Sequence, residues 1–358
     1  MNDFYRLFQR LKGQREMSFA MATVIRVDGS FYRRAGAKML FGEDGSQYGT
    51  LSAGCLEEDL WFHASEVMKQ RKTKIVSYDL MTEDDLSWGQ GAGCNGNIDV
   101  FVEPLGWEIA PPNVDRPVWE EVETQLQEGK TVISVKAVDG SVTASSQWLY
   151  QFLDQGAIAP VVQELLPGDD VSRLLMSDVE DFAVTAQKAV VRRVDALDSE
   201  FLFERYEPRS PLVIFGAGPD VEPLVPLAAQ LDFHVTVVDP RESRCNERVF
   251  PDAHELMVMH PESYLKKNER LSNGSYVIIM THSFQRDKQL LSHFLSHPPR
   301  YLGVLGPRQR SERLASPRAL PDWVHSPIGL GIGADGPEEI SISILAELLQ
   351  ERNRKGKK

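Results

Sequence analysis

The sequence predicts an α/β protein in two parts: an N-terminal α/β domain with a mixed sheet over residues 1–200, and a C-terminal domain with a parallel sheet over residues 209–350. Three observations carry that expectation. Apolar runs of strand length alternate with helical apolar periods along 358 residues, 42% of them hydrophobic and 25% charged. Beyond Pro211 the alternation becomes regular, strand then helix then strand, as parallel βαβ units require. The turn Gly216-Ala217-Gly218 closes the first of those strands, and Asp239 closes the second.

Phe4, Leu7, Phe8 and Leu11 recur at helical spacing and predict an opening helix to about Arg15. Phe19 to Val27, rich in Ala, Val and Ile, predicts a strand that Asp28-Gly29-Ser30 stops. Lys38 to Phe41 and Gln47 to Leu51 flank Glu43-Asp44-Gly45-Ser46, a hairpin signal because Asp-Gly accepts positive φ at little cost. Next comes Ser52-Ala53-Gly54-Cys55, and from Glu57 to about Lys72 a helical period opens with acids that suit the positive end of the helix dipole. Cys55 then falls at a strand-to-helix corner, where free backbone N–H groups would bind an anion and the same field would favour a thiolate. A second such turn, Gly91-Ala92-Gly93-Cys94-Asn95-Gly96, lies between strands predicted at Lys74 to Leu80 and Ile98 to Glu103. Arg33, Arg34 and Lys38 read as a cationic loop, either facing an anionic ligand near Cys55 or solvated.

Residues 106–198 are expected to extend the first domain's sheet, with a helix from Pro117 to Gly129 and strands at Thr131 to Val138, Gly156 to Leu165 and Gln187 to Val194. The second regime then begins. Leu212 to Phe215 is a strand, a helical segment runs through Leu231, and Val235 to Val238 is the next strand. Glycines permit a tight turn and close approach of a phosphate, and an acid ending the second strand suits a ribose hydroxyl, so this half reads as Rossmann-like. Val221 fills the third small position of that fingerprint. Tyr276 to Thr281 and Tyr301 to Leu305 extend the sheet, and Asp335 with Glu338 predicts a capping box on a last helix from Gly336 to Gln350. Thr281 and His282 end a strand at the edge where open α/β sheets bind ligands. Gly306-Pro307-Arg308-Gln309-Arg310 follows another strand with two arginines suited to gripping an anion. The run Arg352 to Lys358 reads as a solvated basic tail.

Composition narrows the function classes. A net charge of -13 argues against broad binding to nucleic acid, which is driven by cations. No apolar run approaches the ~18 residues of a membrane span, and the N-terminus lacks a basic-then-apolar signal, so a cytoplasmic protein is expected. Three cysteines cannot all pair, and none has C-x-x-C spacing, so they are expected to be free thiols. Cys245 reads as structural. No histidine and acid stand in relay beside Cys55 or Cys94, which suits gripping or shielding thiols better than nucleophiles.

Eight collinear blocks, taken together, carry a resemblance. They are Ala22-Thr23-Val24-Ile25 through Gly36-Ala37-Lys38-Met39, Ser52 to Glu57, Gly93-Cys94-Asn95-Gly96, Ile214 to Gly218, Val237 to Arg241, Thr281-His282, Gly303 to Gly306, and Gly331 to Ala334 through Pro337 to Ile340. In that order they resemble the XdhC/CoxI family, accessory proteins of xanthine dehydrogenase and related molybdenum hydroxylases. The resemblance spans nearly the whole chain apart from residues 106–198. It departs at Ala53 and Asn95, where glycine is usual, and at Pro219, where histidine is frequent. It implies a chaperone without catalytic activity of its own, acting in purine catabolism. Such a protein binds the molybdenum cofactor (molybdopterin), protects it during sulfuration by a cysteine desulfurase, and delivers it to the apo-dehydrogenase. Cys55 and Cys94 match its Gly-Cys motifs and are the expected molybdenum contacts. Gly216, Gly218 and Asp239 match its Rossmann fingerprint, and Arg241, Thr281, His282, Gly306, Arg308 and Arg310 complete the expected cofactor-binding set. A homodimer is a further expectation. The alternative is an NAD(P)-dependent oxidoreductase with its cofactor on the Rossmann half.

Overall fold

The computed structural model describes residues 3–52, 54, 56–80, 95–105, 118–138, 147–152, 158–160, 169–268, 271 and 274–354. The chain divides into two compact units, Asn2–Pro208 and Arg209–Lys358.

The first unit opens with α1 (Asp3–Gly13), β1 (Phe19–Ser30), β2 (Lys38–Gly42), β3 (Gln47–Gly49), α2 (Glu57–Gln70), β4 (Lys74–Asp79) and β5 (Asn95–Leu105). Its strands form one sheet in the order β3-β2-β1-β5-β4. Every pairing is antiparallel, so the sheet is not mixed as expected. The long ladder of β1 on β5 runs from Phe19 opposite Leu105 to Ser30 opposite Asn95, with an irregularity between Val24 and Arg26. Leu60, Ala64 and Val67, spaced three and four apart on α2, pack on Ala22, Val24, Val100 and Val102 of this sheet. Each buried Leu or Val there contributes about 1.5–3 kcal/mol.

The unit continues through α3 (Val118–Gln127), β6 (Val132–Ala137), β7 (Gln147–Phe152), β8 (Ile158–Pro160), α4 (Asp169–Ala183), β9 (Ala189–Val194) and β10 (Ser199–Tyr206). These strands do not extend the first sheet. They form a second antiparallel sheet in the order β8-β7-β6-β10-β9. Its central strand is β6, which pairs on one side with β10, a strand absent from the sequence reading that lies some 70 residues later. Leu175, Val179 and Phe182 of α4 cover it against Ile133, Val135, Phe201 and Phe203.

Lys38, expected on a cationic loop, is 4% exposed within β2. All five residues of that strand are buried, so the side chain has no path to water. Its Nζ donates to Thr23 Oγ1 at 3.0 Å and to Glu204 of β10. Lys136 Nζ donates to Glu103 at 2.6 Å and lies 3.3 Å from the second oxygen of Glu204, which also accepts from the Tyr206 hydroxyl at 3.2 Å. Two lysines and two glutamates thus cancel between the two sheets. Burial alone would raise the Glu204 carboxyl, but Lys38 and Lys136 hold it well below the usual carboxylate range.

The second unit comprises β11 (Ser210–Phe215), α5 (Leu224–Gln230), β12 (Phe233–Val238), β13 (Glu255–Met257), α6 (Pro261–Lys267), β14 (Tyr276–Ile279), α7 (Phe284–Ser296), β15 (Tyr301–Val304), α8 (Arg308–Ala315), β16 (Val324–His325) and α9 (Gly336–Asn353). Six parallel strands lie in the order β13-β12-β11-β14-β15-β16. This is the Rossmann order, and its topological switch point falls between β11 and β14. One face is covered by Leu224, Val225 and Ala228 of α5 with Ile344 and Leu348 of α9. The other is covered by Leu290, Leu291 and Phe294 of α7 with Leu314 of α8. Coverage on both faces is why these strands read as continuous apolar runs.

Two details depart from the expected pattern. Helix α5 begins only at Leu224, with Pro223 at its N-cap, after turns that occupy Pro219 to Pro223. On α9, Asp335 is the N-cap but its side chain makes no capping bond, and Glu339 rather than Glu338 reaches back to the Asp335 N–H, at 2.8 Å. Among the described residues no helix is long and apolar enough to cross a membrane.

Candidate functional site

At the switch point, β11 is followed by Gly216 at φ +124°, where a Cβ would lie 2.2 Å from the Met280 carbonyl oxygen. Only glycine lets β11 and β14 approach this closely. The Gly216 N–H is spent on Val238 O at 2.9 Å, and the Ala217 N–H on Asp239 Oδ2 at 3.0 Å. Pro219 has no N–H. Within residues 216–220, only the Gly218 and Asp220 amides have no partner among the described residues.

Asp239, expected to accept from a ribose hydroxyl, is 2% exposed and already engaged. Besides the Ala217 N–H, it accepts from the Arg241 N–H and Nε, both at 2.9 Å, and from Arg241 Nη2 at 2.7 Å. Burial works to raise this carboxyl, but the hydrogen bonds from Arg241 and Ala217 hold it below its ordinary value. The group is a clamp between the end of β12 and the glycine turn. The chemistry it presents outward is that of Arg241, whose side chain is half exposed. Arg244 braces the same turn, with Nε on Ala217 O at 2.9 Å and a second nitrogen on Glu222. Cys245 beside it is buried with its thiol toward Val237 O, and burial raises that thiol.

Two acids unmarked in the sequence, Asp220 and Asp287, organise the opposite side. His282 follows β14 at φ +57°, with its side chain 58% exposed and Nε2 2.9 Å from Asp220 Oδ2. Asp287 in the first turn of α7 is 2% exposed; it accepts from the Thr281 hydroxyl and from Arg310 Nη2. Arg310 lies over Gly306, where a Cβ would meet its side chain at 3.4 Å, and it reaches Leu305 O as well. The structure therefore gathers Gly216, Gly218, Thr281, His282, Asp239 and Arg241 along the carboxyl edge of β11, β12 and β14. Arg310 joins through Asp287 with its charge offset. Arg308 pairs instead with Glu312 and Asp322 and, among the described residues, shares no contact with this group. Neither Asp220 nor Asp287 had a sequence signal, since lone acids in a turn and on a helix resemble solvated surface.

Cys55 and Cys94 lie outside the described residues. The surroundings of the first Gly-Cys turn are nonetheless informative. Gly54 has φ +111°, and Gly96 has φ +134° with β1 so close that a Cβ would lie 1.8 Å from Asp28 O. Among the described residues, the N–H groups expected to stand free for an anion are occupied by the chain's own anion, Glu57. Its Oε1 accepts from Thr50 Oγ1 at 2.8 Å, Leu51 N–H at 3.0 Å and Ser52 N–H at 2.9 Å. Its Oε2 accepts from the Ser52 hydroxyl, Gly54 N–H at 3.0 Å and Leu56 N–H at 3.1 Å. Although burial opposes it, these bonds, Ser52 foremost, lower the carboxyl to about 2. Among the described residues no group of three or more His, Cys, Asp or Glu is arranged to hold a metal ion.

Comparison with known proteins places this geometry. The XdhC Rossmann domain matches residues 212–348, and the XdhC and CoxI family matches residues 14–79. A Bacillus subtilis protein, named as a probable subunit of xanthine dehydrogenase, is 35% identical over 354 residues, 99% of each chain. The uncharacterized protein YqeB of Escherichia coli is 32% identical over 154 residues, 40% of this chain and 28% of its own. A crystal structure from Bacillus halodurans, described as a xanthine dehydrogenase, superposes with a TM-score of 0.78 at 39% identity, covering 100% of this chain and 97% of that one. Likeness over the full length, through both units, shows that the chain belongs to the XdhC and CoxI family.

Proposed function

We propose that this chain is an accessory factor in the maturation of a xanthine dehydrogenase-type molybdenum hydroxylase. It binds the molybdenum cofactor as cargo, shields it while a cysteine desulfurase supplies the terminal sulfur, and passes it to the apoenzyme without catalysis of its own. The observation that carries this reading is the end-to-end likeness to a protein named for xanthine dehydrogenase, which includes the N-terminal unit with its Gly-Cys turns as well as the Rossmann half. Thiols suit a soft metal, which assigns Cys55 and Cys94 to molybdenum. At the Rossmann switch point, the half-exposed Arg241 and the exposed imidazole of His282 supply cationic and donor groups for the organic part of such a cargo.

A dehydrogenase reading finds less support in the same geometry. Its ribose acceptor, Asp239, carries four internal donors, and the glycine turn is followed by further turns instead of directly by a helix N-terminus.

The test is expression with molybdate, then extraction of whatever the purified full-length chain retains. Molybdenum and pterin should copurify, and Cys55→Ser with Cys94→Ser should abolish their retention while circular dichroism stays unchanged. Unchanged molybdenum and pterin in that double variant would overturn the thiol assignment. Nicotinamide in place of pterin would overturn the carrier reading.

A further inference from the structure

The glycine turn of the Rossmann unit holds a carboxylate for which a dinucleotide site has no use. Asp220 stands two residues after Gly218, where such turns direct their N–H groups at a pyrophosphate. A fixed negative charge at that spot repels the pyrophosphate. Most other donors of the turn are withdrawn in the same sense: Gly216 and Ala217 have spent their N–H groups within the fold and Pro219 has none to offer, which leaves the Gly218 and Asp220 amides.

The carboxylate itself is only half used. Oδ2 faces His282 Nε2 at 2.9 Å, while Oδ1 is buried with no hydrogen-bond partner among the described residues. Oδ1 also explains Gly218, where a Cβ would lie 2.3 Å from it. A buried acceptor without a donor is costly, and a native fold keeps one where a ligand, a bound water or a movement supplies the donor. The last torsion of an Asp side chain is broad, so a small rotation brings Oδ1 out of the turn. On the other side, His282 adopts a left-handed backbone conformation that non-glycine residues rarely hold, and such positions cluster at ligand clamps. Asp239, the acid on which this fold ordinarily relies, is committed to Arg241 and Ala217.

We infer that Asp220, oriented by His282, is the ligand-reading carboxylate of this switch point. It accepts from an uncharged edge with two adjacent N–H donors, as on the aminopyrimidinone ring of a pterin, and its charge keeps a pyrophosphate out of the turn. The choice of a pterin edge over a sugar diol rests on the cargo reading above, since both present paired donors to a carboxylate.

The experiment measures binding of pterin, adenosine and NADH to the full-length chain by titration calorimetry, in the wild type, Asp220→Asn and Asp220→Ala. Pterin should bind the wild type and weaken at least tenfold in both variants, whereas adenosine should not bind. NADH should bind Asp220→Ala at least tenfold more tightly than the wild type. Pterin binding that is absent, or equal in wild type and Asp220→Asn, would overturn the assignment. So would NADH binding that ignores the loss of charge. Adenosine binding that depends on Asp220 would transfer the site to a diol and overturn the pterin edge. Molybdenum and pterin content of the purified chain tests the carrier reading whatever Asp220 does, so the two failures are distinguishable.

Discussion

Replacing Glu57 with Gln should remove the anion that organises the first Gly-Cys turn. Six donors converge on the Glu57 carboxylate, which is 8% exposed and whose ionisation falls from an ordinary value of 4.5 to about 2. At about 1.36 kcal/mol per unit, the folded state gains roughly 3 kcal/mol from the ionised group. The turn lies at the surface, with Gly54 exposed, and water screening reduces the expected gain to about 2 kcal/mol. Because the folded value lies below the unfolded one, this stabilisation is present above about pH 4.5 and is lost as pH falls toward about 2.

Glutamine keeps one acceptor oxygen and turns an amide donor toward groups that are themselves donors, leaving at least one of them unpaired at a cost of about 1–3 kcal/mol. The expected result is a loss of about 2–3 kcal/mol at pH 7. Urea denaturation from pH 7 to pH 2.5 should show it, with hydrogen exchange of a peptide spanning residues 50–60 as the local readout. Protection of that peptide should fall on the order of 30-fold or more, at about 1.4 kcal/mol per factor of ten. The acid limb of the wild-type stability profile should flatten in the variant. A Glu57→Gln protein that unfolds at the wild-type midpoint and keeps the wild-type acid limb would refute the account.

Other substitutions test the remaining internal groups. His282→Gly should melt above His282→Ala, because glycine adopts φ +57° without the ~1–2 kcal/mol that an L side chain incurs, less about 0.4–1 kcal/mol of added freedom in the unfolded chain; a His282→Gly variant that melts below His282→Ala would exclude backbone strain at this residue. Glu204→Leu alone should cost about 3–5 kcal/mol in urea denaturation, since it removes the carboxylate that offsets the buried charges of Lys38 and Lys136. Combining it with Lys38→Met should recover part of that loss, because Lys136 keeps Glu103 at 2.6 Å; a double variant less stable than Glu204→Leu would show that Lys38 does not depend on Glu204.

The legible parts of this fold were those written locally. Apolar strands covered on both faces, a glycine turn at the end of β11 and an acid ending β12 were enough to anticipate the Rossmann unit, because each signal lies within a few residues of the element it shapes. The second N-terminal sheet was not legible, since its centre is the pairing of β6 with β10, set by contacts across some 70 residues. Lys38 misled for a related reason. A lysine near two arginines looks solvated until β2 is seen to be buried along its whole length and Glu204 arrives from another sheet. Sequence spacing placed Gly216, Thr281 and His282 at the carboxyl edge of the sheet, where the structure has them, but gave no sign of Asp220, Asp287 or the choice of Glu57 among three consecutive acids, because side-chain partners are selected by tertiary approach.

The expected anion seats share one property that bears on how a ligand is held. Glu57 fills the N–H groups before α2, Asp239 fills the ribose position and Asp287 offsets Arg310, so in each case an internal carboxylate already satisfies the donors. An anionic ligand at the first turn would have to displace Glu57, forfeiting about 2–3 kcal/mol, or a factor of roughly 30–150 in affinity. A donor set filled in this way is rigid but not vacant. On the carrier reading, Cys55 therefore engages its cargo through sulfur and not through the field of the helix terminus. On the same reading, and with the role inferred above for Asp220, recognition in the Rossmann unit falls to the groups left outward or half paired: Arg241, His282, the Gly218 amide and Asp220. The glycine fingerprint persists there as backbone geometry, with its phosphate-binding donors largely redirected into the fold.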